Sequence, residues 1–197
     1  MNYLAHFYLS GTQHPLFTLG NFLGDFVKGK KYQSYPSEIQ KGILFHRAVD
    51  TYTDEHPLVL KSKKRLFPRY HHYSAVLVDL FYDHLLAADF QQYSSQPLAD
   101  FAAEVYALLE AQQRWLPEKA LFMLPYMKRD NWLLNYGTID GIGQACAGIA
   151  RRTRFNSGLE TGPEDLQAHY KDFQQDFQLF FSEIQAYTKD WIESKLL

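Results

Sequence analysis

Residues 42–54 read GILFHRAVDTYTD, and this stretch organises the rest of the chain. His46, Asp50 and Asp54 stand at i, i+4 and i+8, so on a helix they project from one side as a ladder rising about 6 Å per step. Such a row is a set of possible metal ligands. Ile43, Val49 and Tyr52 fall on other faces, which lets the same helix pack while it presents the polar row to a shared cavity. Asp79 and Asp83 in VDLFYDHLL, residues 78–86, repeat the spacing. Much depends on whether the two rows face each other.

Working outward, Pro36 and Ser37 open the ladder helix, Glu38 suits its first turn, and Pro57 closes it. Upstream, residues 2–10 form a short helix ending before Gly11. Residues 16–27 form another, with Asn21, Asp25 and Lys28 along one side, stopped by Lys28-Gly29-Lys30. Downstream, Pro57 to Phe67 reads as a short basic helix. Pro68 or the RYHHYS after it opens a helix at about 72–91 that carries Asp79, Asp83 and His84. Pro97 begins a helix whose Phe101, Val105, Leu108 and Leu109 repeat at helical spacing. Pro117 and Pro125 bracket a short segment, and NWLLNYGTIDGIG is a turn region entering a small-residue helix over 138–152. Residues 158–163 make a linker. A last helix over about 164–195 repeats Tyr170, Phe173, Phe177, Phe180, Ile184 and Tyr187. No stretch alternates as a strand does, and there is no internal repeat. The expectation is all-α: a single-domain helical bundle spanning 1–197, with about seven or eight helices.

The size and composition agree. The 197 residues suit one domain with a full core, and 46% hydrophobic with 21% charged residues is an ordinary globular balance. The 14 Tyr and 15 Phe mostly mean core. The single cysteine, Cys146, excludes an internal disulfide or a cysteine-based zinc cluster and reads as a buried helix contact. No apolar run approaches about 18 residues and the N-terminus lacks a basic lead, so a cytoplasmic protein without a membrane partner is expected. A net charge of -2 argues against a nucleic-acid partner. The charge is uneven, however. Lys28, Lys30 and Lys31 form one basic run, and Lys61, Lys63, Lys64, Arg65 and Arg69 form another. Either run is a solvated face or a landing site for an acidic partner.

For chemistry, imidazole with carboxylates suits divalent metal. The candidates are Asp25, His46, Asp50, Asp79, Asp83 and His84, with His6 and Asp54 behind them. Asp79 and Asp83 sit among apolar residues, so at least one should be drawn inward, where a carboxylate needs a partner. The alternative is that Asp50 and Asp54 meet Arg47 or lysines on a wet surface. His84 lies about 100° around the helix from Asp83, so the two cannot share the Asp79 face; Asp83 is favoured as ligand and His84 as supporting group or acid. There is no G-x-S-x-G elbow, phosphate loop or dinucleotide fingerprint, and no Glu-x-x-His pair of the di-iron bundles. Metal-assisted hydrolysis remains.

Taken together, NYLAH at 2–6, GNFLGDFVKG at 20–29, GILFHRAVDTYTD at 42–54 and DLFYDHLL at 79–86 resemble the acyl carrier protein phosphodiesterase family. The likeness continues through NWLLNYG at 131–137 and the aromatic last helix. That family looks like a divergent branch of the HD phosphohydrolases, which implies an HD-domain-like helical fold. No adjacent His-Asp dipeptide exists here; Asp83-His84 runs in reverse. The resemblance implies hydrolysis of the phosphodiester joining 4′-phosphopantetheine to a serine of holo acyl carrier protein, with Mn²⁺ as the expected metal. On that footing Asp25, His46, Asp50, Asp79 and Asp83 are the expected ligands. His84 or His6 would give the leaving serine its proton, and Lys28 or Arg47 would neutralise the phosphate oxygens. Because the carrier is acidic, Lys30, Lys31, Lys61, Lys63, Lys64, Arg65 and Arg69 become its expected docking surface. Two alternatives stand beside this: a metal phosphohydrolase acting on a small nucleotide or another phosphodiester, and a non-catalytic helical module that only binds the carrier.

Overall fold

The computed structural model describes residues 1–196, and among them every regular element is helical. Eleven α-helices run in the order α1 Tyr3–Ser10, α2 Pro15–Leu23, α3 Ser37–Glu55, α4 Pro57–Tyr70, α5 Ser74–Ala88, α6 Leu98–Ala111, α7 Glu118–Arg129, α8 Trp132–Asn135, α9 Ile139–Ala150, α10 Gly162–Ala168 and α11 Tyr170–Lys195. The all-α expectation holds, and the bundle is consistent with an HD-domain-like architecture. The helix count exceeds the expected seven or eight because the segment after Pro117 is a full helix, α7, α8 is a separate turn, and the last helix divides at His169, whose φ of -118° and ψ of 24° leave helical geometry.

Two prolines do less than expected. Pro68 lies inside α4 and Pro125 inside α7, and both are exposed, so the carbonyls that lose a donor can turn to water. Pro57 behaves as expected: it begins α4, and His56 before it is extended and caps Leu58 N with its own Nδ1 at 3.3 Å. In α2 the helix ends at Leu23 rather than near Val27, which places Asp25 in the turn beyond it.

The core is aromatic. Phe17, Phe45, Phe81, Phe173, Phe177 and Phe180 are buried, and Ile184 continues the α11 row, while Tyr170 and Tyr187 pack at its edge. Cys146 is buried in α9, and burial pushes its thiol up to about 12, as befits a packing group. Helices α2 and α3 approach most closely. A Cβ on Gly20 would sit 2.9 Å from Gly42 Cα, and one on Gly42 2.8 Å from Gly20 Cα. Glycine at both positions therefore lets the two backbones touch, which sets Asn21 and Asp25 against the His46–Asp50 face.

Helix α1 is held from α5. The Asp83 carboxylate accepts from Asn2 N at 3.3 Å, Leu4 N at 2.7 Å and Ala5 N at 3.2 Å, the N–H groups that a helix start leaves without partners. Asp79 Oδ1 lies 3.1 Å from the Met1 amine. On the far side, buried Asp176 of α11 is bound by Lys61 at 2.8 Å, Arg65 at 3.1 Å and Ser62 at 3.1 Å, fastening α4. No helix among the described residues is long and apolar enough to cross a membrane.

Candidate metal centre

His6, His46 and Asp50 converge from α1 and α3, with ligand atoms within 4.8 Å of one another. The Asp50 carboxylate spans the two imidazoles: Oδ1 is 3.1 Å from His6 Nε2 and Oδ2 is 3.1 Å from His46 Nε2. Asp25 Oδ1 lies 3.7 Å from the same His46 nitrogen. The two rings stack at 4.1 Å with 20° between their planes. Both histidines are buried, whereas the side chains of Asp50 and Asp25 are 43% and 47% exposed, so the group opens to solvent through its carboxylates.

Local packing fixes each ring. A Cβ on Gly24 would collide with the His46 imidazole, so that residue's lack of a side chain is the seat of the ring. His46 Nδ1 is buried without a hydrogen-bond partner, and the ring is held by this seat and by its stack on His6. His6 is braced differently. Asn21 Nδ2 donates to the His6 carbonyl at 2.6 Å, which turns Asn21 Oδ1 toward His6 Nδ1 at 3.1 Å. An amide oxygen only accepts, so Nδ1 carries the proton, and in the neutral ring Nε2 is a bare lone pair.

That lone pair faces Asp50 Oδ1, and two acceptors at 3.1 Å need a proton or a cation between them. A proton is disfavoured: burial first, and then His46, pushes His6 below its ordinary value, although the Asp50 carboxylate works the other way. Burial opposes ionisation of Asp50 too, but its contacts with the His46 and His6 imidazoles together outweigh it and hold the carboxyl well below the usual range. The arrangement thus offers an oriented neutral imidazole, a second imidazole and an ionised carboxylate around one point, which fits a divalent cation.

The remaining expected site residues lie elsewhere. Asp83 and Asp79 do not join the group; their oxygens are engaged by the first N–H groups of α1 and by the Met1 amine. His84 Nδ1 is 2.8 Å from the Tyr136 carbonyl, on another face of α5. Arg47 donates from Nη2 to Val27 O and Gly29 O, each at 2.9 Å, and stacks over Tyr32, bracing the loop after Asp25 rather than reaching the centre. Asp54 pairs with Lys63 at 2.7 Å. In the second basic run Lys61, Arg65 and Arg69 are likewise paired, Arg69 with Asp165 at 2.6 Å and Glu164 at 3.2 Å. Lys28, Lys30, Lys31 and Lys64 are exposed and enter no ion pair among the described residues. Asn21 was legible only as a neighbour of Asp25 on one helix side; nothing in its spacing announces that it orients a ring.

The family model described as acyl carrier protein phosphodiesterase matches residues 1–184. Similar proteins carry the same description. One from Photorhabdus laumondii is 31% identical over 182 residues, covering 92% of this chain and 91% of the relative. One from Yersinia pestis is 30% identical over 182 residues, covering 92% and 94%, and one from Enterobacter sp. strain 638 is 28% identical over 191 residues, covering 96% and 98%. No solved structure gives a significant match.

Proposed function

The chain belongs to the acyl carrier protein phosphodiesterase family, and we propose that it hydrolyses the phosphodiester between 4′-phosphopantetheine and a serine of holo acyl carrier protein, with Mn²⁺. The observation that carries the metal part is the His6 Nε2 lone pair, oriented by Asn21 and aimed with His46 and Asp50 at one point. His6, His46 and Asp50 would hold a divalent ion there, which would lower the pKa of water toward about 7 and offset charge on phosphoryl oxygens.

The chain's own groups have separable tasks. His6, His46 and Asp50 form the ligand set, and Asp25 completes it from the rim. Asn21 keeps the His6 proton on Nδ1, so Nε2 stays available at neutral pH. Lys28, exposed three residues beyond Asp25 on the loop that Arg47 braces, balances the phosphate charge. Water adds to phosphorus, the bond to the serine Oγ breaks, and that oxygen takes a proton at the solvent-open rim. Lys30 and Lys31 on the same loop receive the acidic carrier, since most of the second basic run is already spent on ion pairs within the chain.

The test is mass spectrometry of holo acyl carrier protein incubated with this protein. Conversion to apo carrier with Mn²⁺ and none with chelator is the expected result. Binding without cleavage in the presence of metal would return the chain to a non-catalytic module, and turnover of free small phosphodiesters with an untouched carrier would make it a phosphohydrolase of another substrate.

A further inference from the structure

A cavity of about 440 Å³ lies beside the α1 N-terminus, walled by α1, α5, α7, α8 and α9, and its size falls in the range of about 300–1,000 Å³ usual for small-molecule sites. Asn2 and Tyr3 line it, one turn before His6, so the centre and the cavity share α1 as a wall. The Tyr3 phenol marks the connection. Burial and then the Asp25 carboxylate push it well above its ordinary value while the Arg152 guanidinium draws it down, so it stands between the rim of the centre and a cation at the cavity.

The lining is mixed in a particular way. Leu80, Trp132 and Ile149 offer carbon, Asn135 and Gln144 offer amides, and Arg151 and Arg152 stand exposed at the mouth. Arg152 is steadied by its own helix through Nε to Gly148 O at 3.1 Å, leaving the rest of its fork for a ligand. Room comes from α9, where Gly141, Ala145 and Gly148 repeat at i, i+4 and i+7 along the wall. A Cβ on Gly148 would meet only Arg151 Nη2, at 3.9 Å.

We infer that this cavity seats the pantetheine arm of the substrate while its phosphate lies at the His6–His46–Asp50 centre, an inference that rests on the hydrolysis proposed above. The arm has a branched alkyl group, a hydroxyl, two amides and a terminal thiol, and the phosphate is bonded at its branched end. Those needs match a pocket of carbon and side-chain amides next to a phosphate-handling centre. Binding the arm here orients the scissile bond, because Tyr3 of the cavity wall and His6 of the centre stand one turn apart on the same helix.

The experiment is calorimetric titration of the Mn²⁺-loaded full chain with pantetheine, which lacks the phosphate and so reports on the cavity alone. Wild type should bind it saturably. Gly148→Leu grows into the cavity and improves helix propensity; it should bind roughly tenfold more weakly or not at all, while its Mn²⁺ binding and melting temperature are kept. Ala145→Phe, on the same wall, serves if Gly148→Leu fails to fold. No binding to wild type, equal binding to the filled variants, or binding of adenosine monophosphate in place of pantetheine would overturn the assignment, even where wild type cleaves the holo carrier. Conversely, pantetheine binding that the variants block, in a protein that leaves the carrier intact, would sustain the pocket and defeat the hydrolysis.

Discussion

At the scale of single residues, the decisive arrangement is a side-chain amide that settles where a proton goes. Asn21→Ala removes both the acceptor for His6 Nδ1–H and the donor to the His6 carbonyl, and we expect Mn²⁺ affinity to fall roughly 10–100-fold with the fold kept. Metal titration alongside circular dichroism checks this, and unchanged affinity would remove Asn21 from the account. Asp83 makes a second prediction. Burial pushes its carboxyl from 3.8 up to about 7, against the pull of the Met1 amine and the Leu4 and Ala5 N–H groups. Through that window the folded chain keeps a proton that the unfolded chain has lost, so this group makes stability fall as pH rises. Relative to Asp83→Asn, which does not titrate, wild type should lose stability from about pH 4.5 to 7, at no more than about 1.4 kcal/mol per pH unit. Urea unfolding of the chelated protein measures it, and a difference flat with pH contradicts it. These residues also show what the sequence could reveal. His46 and Asp50 were legible because one helix carries both at i, i+4. His6 reads from sequence only as a reserve ligand or an acid, since its approach to α3 is made by tertiary packing. The Asp79/Asp83 row has the same spacing as a ligand row but answers the first N–H groups of α1 and an amine. A bare helix start and a metal ion both offer positive charge, and carboxylate spacing cannot tell them apart.

At the scale of elements, the contact of α2 with α3 builds the centre. Gly42→Ala must push α2 away at Gly20 and Phe17, and we expect a loss of about 1–3 kcal/mol in urea unfolding together with weaker Mn²⁺ binding. Stability lost without any effect on metal would detach the helix contact from the site. The α4–α11 clasp is separate. Asp176→Ala leaves Arg65 and Ser62 unsatisfied beside Phe173, and should cost about 3 kcal/mol while leaving the metal in place. Sequence periodicity located α1, α3, α6 and the aromatic face of α11, because each buries a stripe at helical spacing. It overrated Pro68 and Pro125, which helices tolerate on exposed faces. It gave no warning of the break at His169, where the residues Ala168, His169 and Tyr170 contain no glycine or proline.

At the scale of the whole molecule, the distribution of unpaired charge decides how a carrier would approach. The run at 28–31 is free and adjoins Asp25, whereas Lys61, Lys63, Arg65 and Arg69 are matched to acids on α3, α10 and α11, all but Asp54 distant in sequence. A run of lysines reads the same in either case; only the fold supplies its partners. Docking through the free run should be screened by salt, and Lys30→Glu with Lys31→Glu should raise KM for the holo carrier more than Lys61→Glu with Lys64→Glu does. A KM indifferent to ionic strength would make both runs solvated surface. We propose that a metal held by His6, His46 and Asp50 does the chemistry, while His84 only supports the fold. The most direct test is the yield of apo carrier protein by mass spectrometry for wild type, His6→Ala and His84→Ala with Mn²⁺ at equal folded concentration. Cleavage by wild type and His84→Ala and none by His6→Ala is expected; turnover by His6→Ala, or its loss in a folded, metal-loaded His84→Ala, would overturn the assignment of the metal to His6, His46 and Asp50.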